Sequence, residues 1–197
     1  MSLQKKDFQK DVIYLVQFPC SPNIRTISPF ALKLETYLRL KKVKYEPLYS
    51  LTFSHKGQIP FIELNGEQIA DSNLIIQELE KRGIASPDLS ELTEEQKIFN
   101  HLATICLENH TCLAGFIWRY GYNMPEFFDK LCKHTFGKAW SVFFFKKFMP
   151  SGIKTKANNH GLGRHAIEEI NEFSFKDLKA ISGMLGDKPF FNGEVNT

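Results

Sequence analysis

His101, Cys106, His110 and Cys112 bring two imidazoles and two thiols into one short stretch, and these are the side chains from which zinc sites are built. Their spacing argues against that use. It matches no short paired-ligand module, and residues five apart on a helix diverge, so no metal is expected here. His134, His160 and His165 are read as surface or capping residues, since no Ser/His/Asp order accompanies them. Neither a GxGxxG nor a P-loop pattern occurs, which leaves nucleotide cofactors without a foothold. Two polar pairs sit where helices should begin. Ser28-Pro29 suits an N-cap and first-turn position, and Asp71 or Ser72 can cap a second helix.

The chain that must position these groups has 197 residues, 22.7 kDa and 43% hydrophobic residues, enough for one large domain or two small ones. Disorder and fibrous repeats are poor readings. With 25 basic against 22 acidic residues the net charge is +3, too small to make nucleic acid a default partner. Cys20, Cys106, Cys112 and Cys132 do not form a disulfide framework, and no secretory apolar region precedes them, so a cytoplasmic setting is expected. No apolar run reaches the ~18 residues of a membrane span. Phe is abundant, at 18 residues, which reads as a helical core filled with rings.

Along the chain the pattern changes near residue 84. VIYLVQF at 12–18 is apolar without alternation, as a strand covered on both faces should be. A helix follows from Ser28 to about Lys42, with Phe30, Leu34 and Leu38 on one face. YEPLYS at 45–50 is a strand whose proline places it at an edge. FIEL at 61–64 turns through Asn65-Gly66 into a fourth strand, and a helix bearing Leu74, Ile75, Ile76 and Leu79 stops near Gly83. Beyond the linker, Thr93 and Gln96 form a capping box for a long helix with Ile98, Leu102, Ile105 and Leu113 on its period. Another helix starts at 125, continues into or precedes the run at 139–150, and is expected to break at Pro150 and Gly152. A last one, from Arg164 to Leu185, carries Ile167, Ile170, Leu178 and Ile181 and ends at Gly186.

The βαβββα order, Ile59-Pro60 ahead of the hairpin and Asp71-Ser72 at a helix start together resemble the thioredoxin-like domain of the glutathione transferase superfamily. More closely, QFPCSPNIRTISPFALKLETYL, HKGQIPFIELNGEQIADSNLIIQEL and GLGRHAIEEI are similar to the failed axon connections family, a metaxin-related branch of that fold. The resemblance spans roughly residues 11–193. It implies an α/β plus all-α architecture: a thioredoxin-like domain at 11–84, a linker at 85–92 and a helical domain at 93–197 that is C-terminally truncated. It also implies a candidate glutathione site. Ile59, before a cis Pro60, would offer its main chain to the cysteinyl part of the peptide, and Asp71 and Ser72 would hold the γ-glutamyl end. Ser28 stands where omega-type relatives carry a cysteine; it could donate to a glutathione thiolate but cannot form a mixed disulfide, and Ala31 removes the second thiol of a CxxC pair. Cys20, Ser21 and Tyr14 are weaker substitutes for that role.

Charge segregation adds a second functional reading. Residues 130–164 contain seven Lys and one Arg with no Asp or Glu, interleaved with Phe136, Trp140, Phe143, Phe144, Phe145 and Phe148. Such a stretch either forms a solvated basic face over an aromatic core or lies peripherally on an anionic membrane surface or other anionic partner. Three functions therefore stand beside one another: a noncatalytic or weakly catalytic protein of axonal or cellular organisation, a glutathione transferase using Ser28, and a metaxin-like membrane-surface or import protein. The shortened helical domain is further expected to leave apolar surface exposed, to be covered by a second copy or another protein, and to be less stable than a longer relative.

Overall fold

The computed structural model describes residues 3–19, 24–86, 92–127 and 139–192, with side chains at 124, 125, 139–145 and 148 outside the description. The chain divides into two compact units, one built on the described residues up to 86 and the other on those from 92 onward.

In the first unit, β1 (Ile13–Gln17), α1 (Pro29–Leu40), β2 (Tyr45–Tyr49), β3 (Phe61–Leu64), β4 (Glu67–Ala70) and α2 (Ser72–Lys81) follow in the expected order. The sheet runs β2-β1-β3-β4, with β2 parallel to β1 and the other pairs antiparallel. All five residues of β1 are buried, which explains its unbroken apolar text. β2 is an edge strand, so Pro47, opposite Leu15, removes no hydrogen bond that a further strand would need. Asn65 and Gly66 both have positive φ, 51° and 84°, the geometry that lets a two-residue turn follow the twist of β3 and β4.

Alternation along the strands separates two faces. Ile13, Leu15, Ile62 and Leu64 pack with Leu34 and Leu38 of α1 and Ile75 and Leu79 of α2. Truncating one of these fully buried side chains to alanine should cost about 2–5 kcal/mol. On the other face Val16, Phe61 and Ala70 form a smaller cluster with Leu48. Tyr14 and Glu63 share that second face and are held by the N-terminal segment. The amides of Gln4 and Lys5 donate to the Glu63 carboxylate at 2.8 and 2.9 Å, and Gln9 donates to the Tyr14 hydroxyl at 2.9 Å.

In the second unit α3 (Glu94–Ile105) begins on the expected capping box: Gln96 N–H donates to Thr93 Oγ1 at 3.2 Å and Thr93 N–H to Gln96 Oε1 at 2.9 Å. The helix then runs on through a π-wound stretch at Cys106–Thr111, α4 (Cys112–Phe116) and a second π-wound stretch at Ile117–Tyr122. These wide turns shift the helical phase. Leu113 is buried, but Ile98, Leu102 and Ile105 face outward, so the stripe read at a constant period does not stay on one side.

After α5 (Met124–Phe127), α6 (Ala139–His160) passes through Pro150 and Gly152 rather than breaking there. An internal proline removes one main-chain bond, and packing of Ile153 and Ala157 onto Leu113 and Ile117 holds the continuation. The helix ends at Gly161, with φ 103°. A 3₁₀ turn at Leu162–Arg164 then presses onto α6: a Cβ on Gly163 would lie 2.7 Å from Ala157, which excludes any larger residue. The last helix, α7 (Ile167–Leu185), starts three residues later than the sequence suggests and contributes Ile170 to the core. It ends at Gly186, with φ 55° and its N–H on Ser182. Aromatic filling is partial. Phe116, Tyr120 and Phe127 pack as a chain of rings at 5.8 and 5.3 Å, whereas Phe175 is exposed.

Candidate functional site

One row across the sheet locates the site. Val16 pairs with Phe61, and Phe61 with Ala70, so Pro60, just before β3, and Asp71, just after β4, leave the sheet at the same end. β1 also finishes there, and both α1 and α2 begin there. Lys33 Nζ donates to Asn73 Oδ1, tying the second turn of α1 to the first turn of α2. Ser28, Ile59, Pro60, Asp71 and Ser72 thus lie at one end of the first unit.

The Ile59–Pro60 peptide bond is cis, as the resemblance implies. Among the described residues no hydrogen bond reaches the Ile59 main chain. The preceding loop is pinned by Ser54, whose hydroxyl accepts from Gln58 N–H at 3.1 Å while its own N–H donates to the Gln58 carbonyl at 2.9 Å. Gln68 Oε1 adds a bond from His55 N–H at 2.8 Å.

Asp71 caps α2 with φ 85°, a left-handed conformation that aspartate tolerates better than most residues. Its Oδ1 accepts from Asn73 and Leu74 N–H at 3.0 and 3.2 Å. Oδ2 accepts nothing from the described residues and is the atom that can receive an ammonium group. Ser72 is buried beside it. Ser28 caps α1: its Oγ accepts from Ala31 N–H at 3.3 Å, which leaves the hydroxyl proton to be donated, although the residue is only 7% exposed.

Ser28 owes its position to a network that spacing did not reveal. Glu35, 2% exposed, accepts from Arg25 Nε at 2.9 Å and from Arg25 Nη2, from the Tyr45 hydroxyl at 2.7 Å and from Gln17 Nε2 at 3.3 Å. Burial pushes its carboxyl upward, but the bonds from Arg25, Tyr45 and Gln17 and the Arg25 charge outweigh this and hold it at about 2. Arg25 is held above its ordinary value by the same pair. Only Thr26 and Ile27 separate Arg25 from Ser28, so the ion pair fixes the approach of the loop to the helix. A signal existed in the sequence: Glu35 lies on the apolar face of α1, between Ala31 and Leu38.

The substitute candidates are placed elsewhere. Tyr14 is buried with its hydroxyl accepting from Gln9, while Cys20 and Ser21 lie outside the described residues. His101, Cys106, His110 and Cys112 form no metal-holding group of three or more ligands among the described residues. His110 is bound to Asp177 instead, and burial pushes the Cys112 thiol up. Of the basic stretch, Lys146, Lys147, Lys154 and Lys156 lie on α6, whereas Phe136 and the side chains of Trp140, Phe143, Phe144, Phe145 and Phe148 are outside the described residues. Among the described residues no helix is long and apolar enough to cross a membrane.

Comparison with known proteins bears on the family and the fold. The family described as glutathione S-transferase N-terminal domain matches residues 29–127. Failed axon connections of Drosophila melanogaster is 43% identical over 100% of this chain, which spans 49% of that protein's length. A metaxin-2 homolog of Caenorhabditis elegans is 24% identical over 84% of this chain and 73% of its own. Among solved structures, glutathione transferase GSTFuA3 from Phanerochaete chrysosporium superposes with a TM-score of 0.59 at 16% identity, covering 96% of this chain and 80% of its own, a likeness of fold. A chain with this fold, this family match and similarity along its whole length to failed axon connections belongs to the glutathione S-transferase family.

Proposed function

We propose that this chain is a noncatalytic or weakly catalytic protein of the failed axon connections type, acting in cellular organisation, that holds glutathione as a ligand at the sheet end. The observation that carries this reading is the contrast between Asp71 and Ser28. Asp71 keeps one carboxylate oxygen without a partner among the described residues, beside a helix start suited to a carboxylate. Ser28 is a buried cap in a position where thiol chemistry would need a cysteine. Binding groups are thus in better order than activating ones. The exposed apolar stripe of Ile98, Leu102 and Ile105 supports a further part of the reading, a second copy or another protein docked on α3, at a cytoplasmic site that is peripheral where it meets membrane.

Calorimetric titration with reduced glutathione tests it, together with turnover of a chlorodinitrobenzene acceptor. Binding that disappears in Ser72→Ala, with turnover that does not change in Ser28→Ala, is the expected pattern. Absence of binding at millimolar glutathione overturns the ligand reading, and turnover that falls with Ser28→Ala makes the chain a transferase.

A further inference from the structure

Trp118 and Tyr122 stand out from the second unit together. They are 46% and 51% exposed and lie four residues apart in the second π-wound stretch, whose wide turns bring such residues onto one face. Neither ring is needed for the core. The adjoining face of the same stretch makes that contact: Ile117 is buried against Ile153 and Ala157 of α6, and the Lys154 stem crosses Gly121, its Cε 3.9 Å from where a Cβ would stand. Asn123 closes the stretch by donating to the Trp118 carbonyl from its N–H at 2.9 Å and from Nδ2 at 3.2 Å. The two rings, each with an apolar body and a polar tip, are thus presented on an ordered backbone.

Two cations flank them, and rings rather than carboxylates hold both. Lys154 Nζ lies 5.9 Å from the centre of the Tyr122 ring, and Arg119 Cζ lies 5.6 Å from that of Phe127, which is itself set edge-on against Tyr120 at 5.3 Å. Among the described residues no acid forms a salt bridge with either cation, so neither charge is cancelled. The acids on the neighbouring elements are Glu108, of the first π-wound stretch, and Glu126, of α5. Both are engaged within the chain, as are Lys146 and Lys147 of α6, which leaves Arg119, Lys154 and Lys156 as the surplus. The surface is net basic.

We propose that Trp118, Tyr122, Arg119 and Lys154 seat the second unit on an anionic phospholipid surface, with the rings in the headgroup layer and the cations on the lipid phosphates and carboxylates. A fitting partner must offer apolar depth and negative charge side by side, and a lipid interface offers both. Nucleic acid would call for a longer basic track along its backbone. This rests on the peripheral position proposed above, for which it names the surface and the partner, and it does not involve glutathione.

Co-sedimentation of the intact chain tests it, with vesicles of phosphatidylcholine alone and of an equal mixture with phosphatidylserine. Binding should be about tenfold or more stronger on the mixture and should fall as salt rises. Arg119→Gln and Lys154→Gln should each weaken it about fivefold, the equivalent of ~1 kcal/mol per basic residue at the surface. Trp118→Ala with Tyr122→Ala should remove it, whereas Lys179→Gln, at an exposed lysine of α7, should change it by less than about twofold. Thermal unfolding verifies that each variant is folded, and the two charge variants carry the test if the aromatic pair is not. The proposal is overturned if the chain sediments equally with both vesicles or with neither, or if Lys179→Gln weakens binding as much as Lys154→Gln. It is overturned equally if a single-stranded oligonucleotide is bound while the vesicles are not. No glutathione is present, so such a failure leaves the ligand reading to its own titration.

Discussion

Arg25 donates to the Glu35 carboxylate through both Nε and Nη2, so the loop that delivers Ser28 is anchored to the helix that Ser28 caps. Glu35 is buried while the Arg25 side chain is 46% exposed, which makes the carboxylate the costly partner to leave alone.

Stability should therefore depend on acid in a defined window. Glu35 is held at about 2 in the folded chain against 4.5 ordinarily, so the folded state gains from its ionised form above about pH 4.5 and loses that gain as pH falls toward 2. The contribution is about 2–3 kcal/mol after allowing for solvent screening of Arg25. Denaturant melts between pH 5 and 2.5 should show this slope in the natural chain. Glu35→Gln should be weaker at neutral pH and flatter through the window; an identical slope in the variant would assign the acid sensitivity to other groups.

Asp71 performs two tasks that substitution can separate. Asparagine keeps a side-chain oxygen for the Asn73 and Leu74 amides and tolerates the left-handed backbone, so Asp71→Asn should change stability by less than about 0.5 kcal/mol. Removal of the charge should still weaken glutathione about tenfold. Asp71→Ala should lose both, with a stability cost of about 1 kcal/mol or more. Unfolding curves and calorimetry on the two variants distinguish capping from binding; equal glutathione affinity in Asp71→Asn and the natural chain would remove the carboxylate from the site.

Legibility followed the range of the interactions. Thr93 with Gln96, Asn65 with Gly66, and Asp71 at the start of α2 all act within a few residues, and each is readable from neighbouring letters. Ile59-Pro60 took its meaning from family resemblance, since the dipeptide by itself says little. Glu35 stood out only as an acid on an apolar helix face, and neither its partners nor those of Glu63 could be read from neighbouring letters, because they lie far along the chain or in its main-chain amides: Tyr45 and Gln17 for one, Gln4 and Lys5 for the other. Pro150 misled for a related reason, because the local rule for proline yields when flanking turns are packed against a separate helix.

Ser28 offers a gain-of-function test. Ser28→Ala loses the bond to Ala31 N–H and should cost about 1 kcal/mol. Ser28→Cys places a thiol at a helix N-terminus, where the dipole favours thiolate, and should create glutathione-dependent disulfide exchange absent from the natural chain. A thiol titration by alkylation rate, run beside the exchange assay, reports whether the new pKa is depressed. A cysteine that is accessible and depressed yet inert in exchange would show that the sheet end does not bring glutathione sulfur to residue 28.

The apolar face of α3 makes the final prediction, because its exposure decides between packing and association. Ile98 and Leu102 are each 60% exposed, so replacing them with serine removes little buried area and should alter stability by less than about 0.5 kcal/mol. Association should respond much more strongly, since four residues on a helix bring the two side chains onto one face with Ile105 close behind. Light scattering of the natural chain at rising concentration should show a mass above that of the monomer, and Ile98→Ser with Leu102→Ser should return it to monomer. A natural chain that stays monomeric would assign the stripe to a different protein rather than to a second copy. A double variant that unfolds would instead mean that these side chains are covered within the folded chain, and the docking reading would fall.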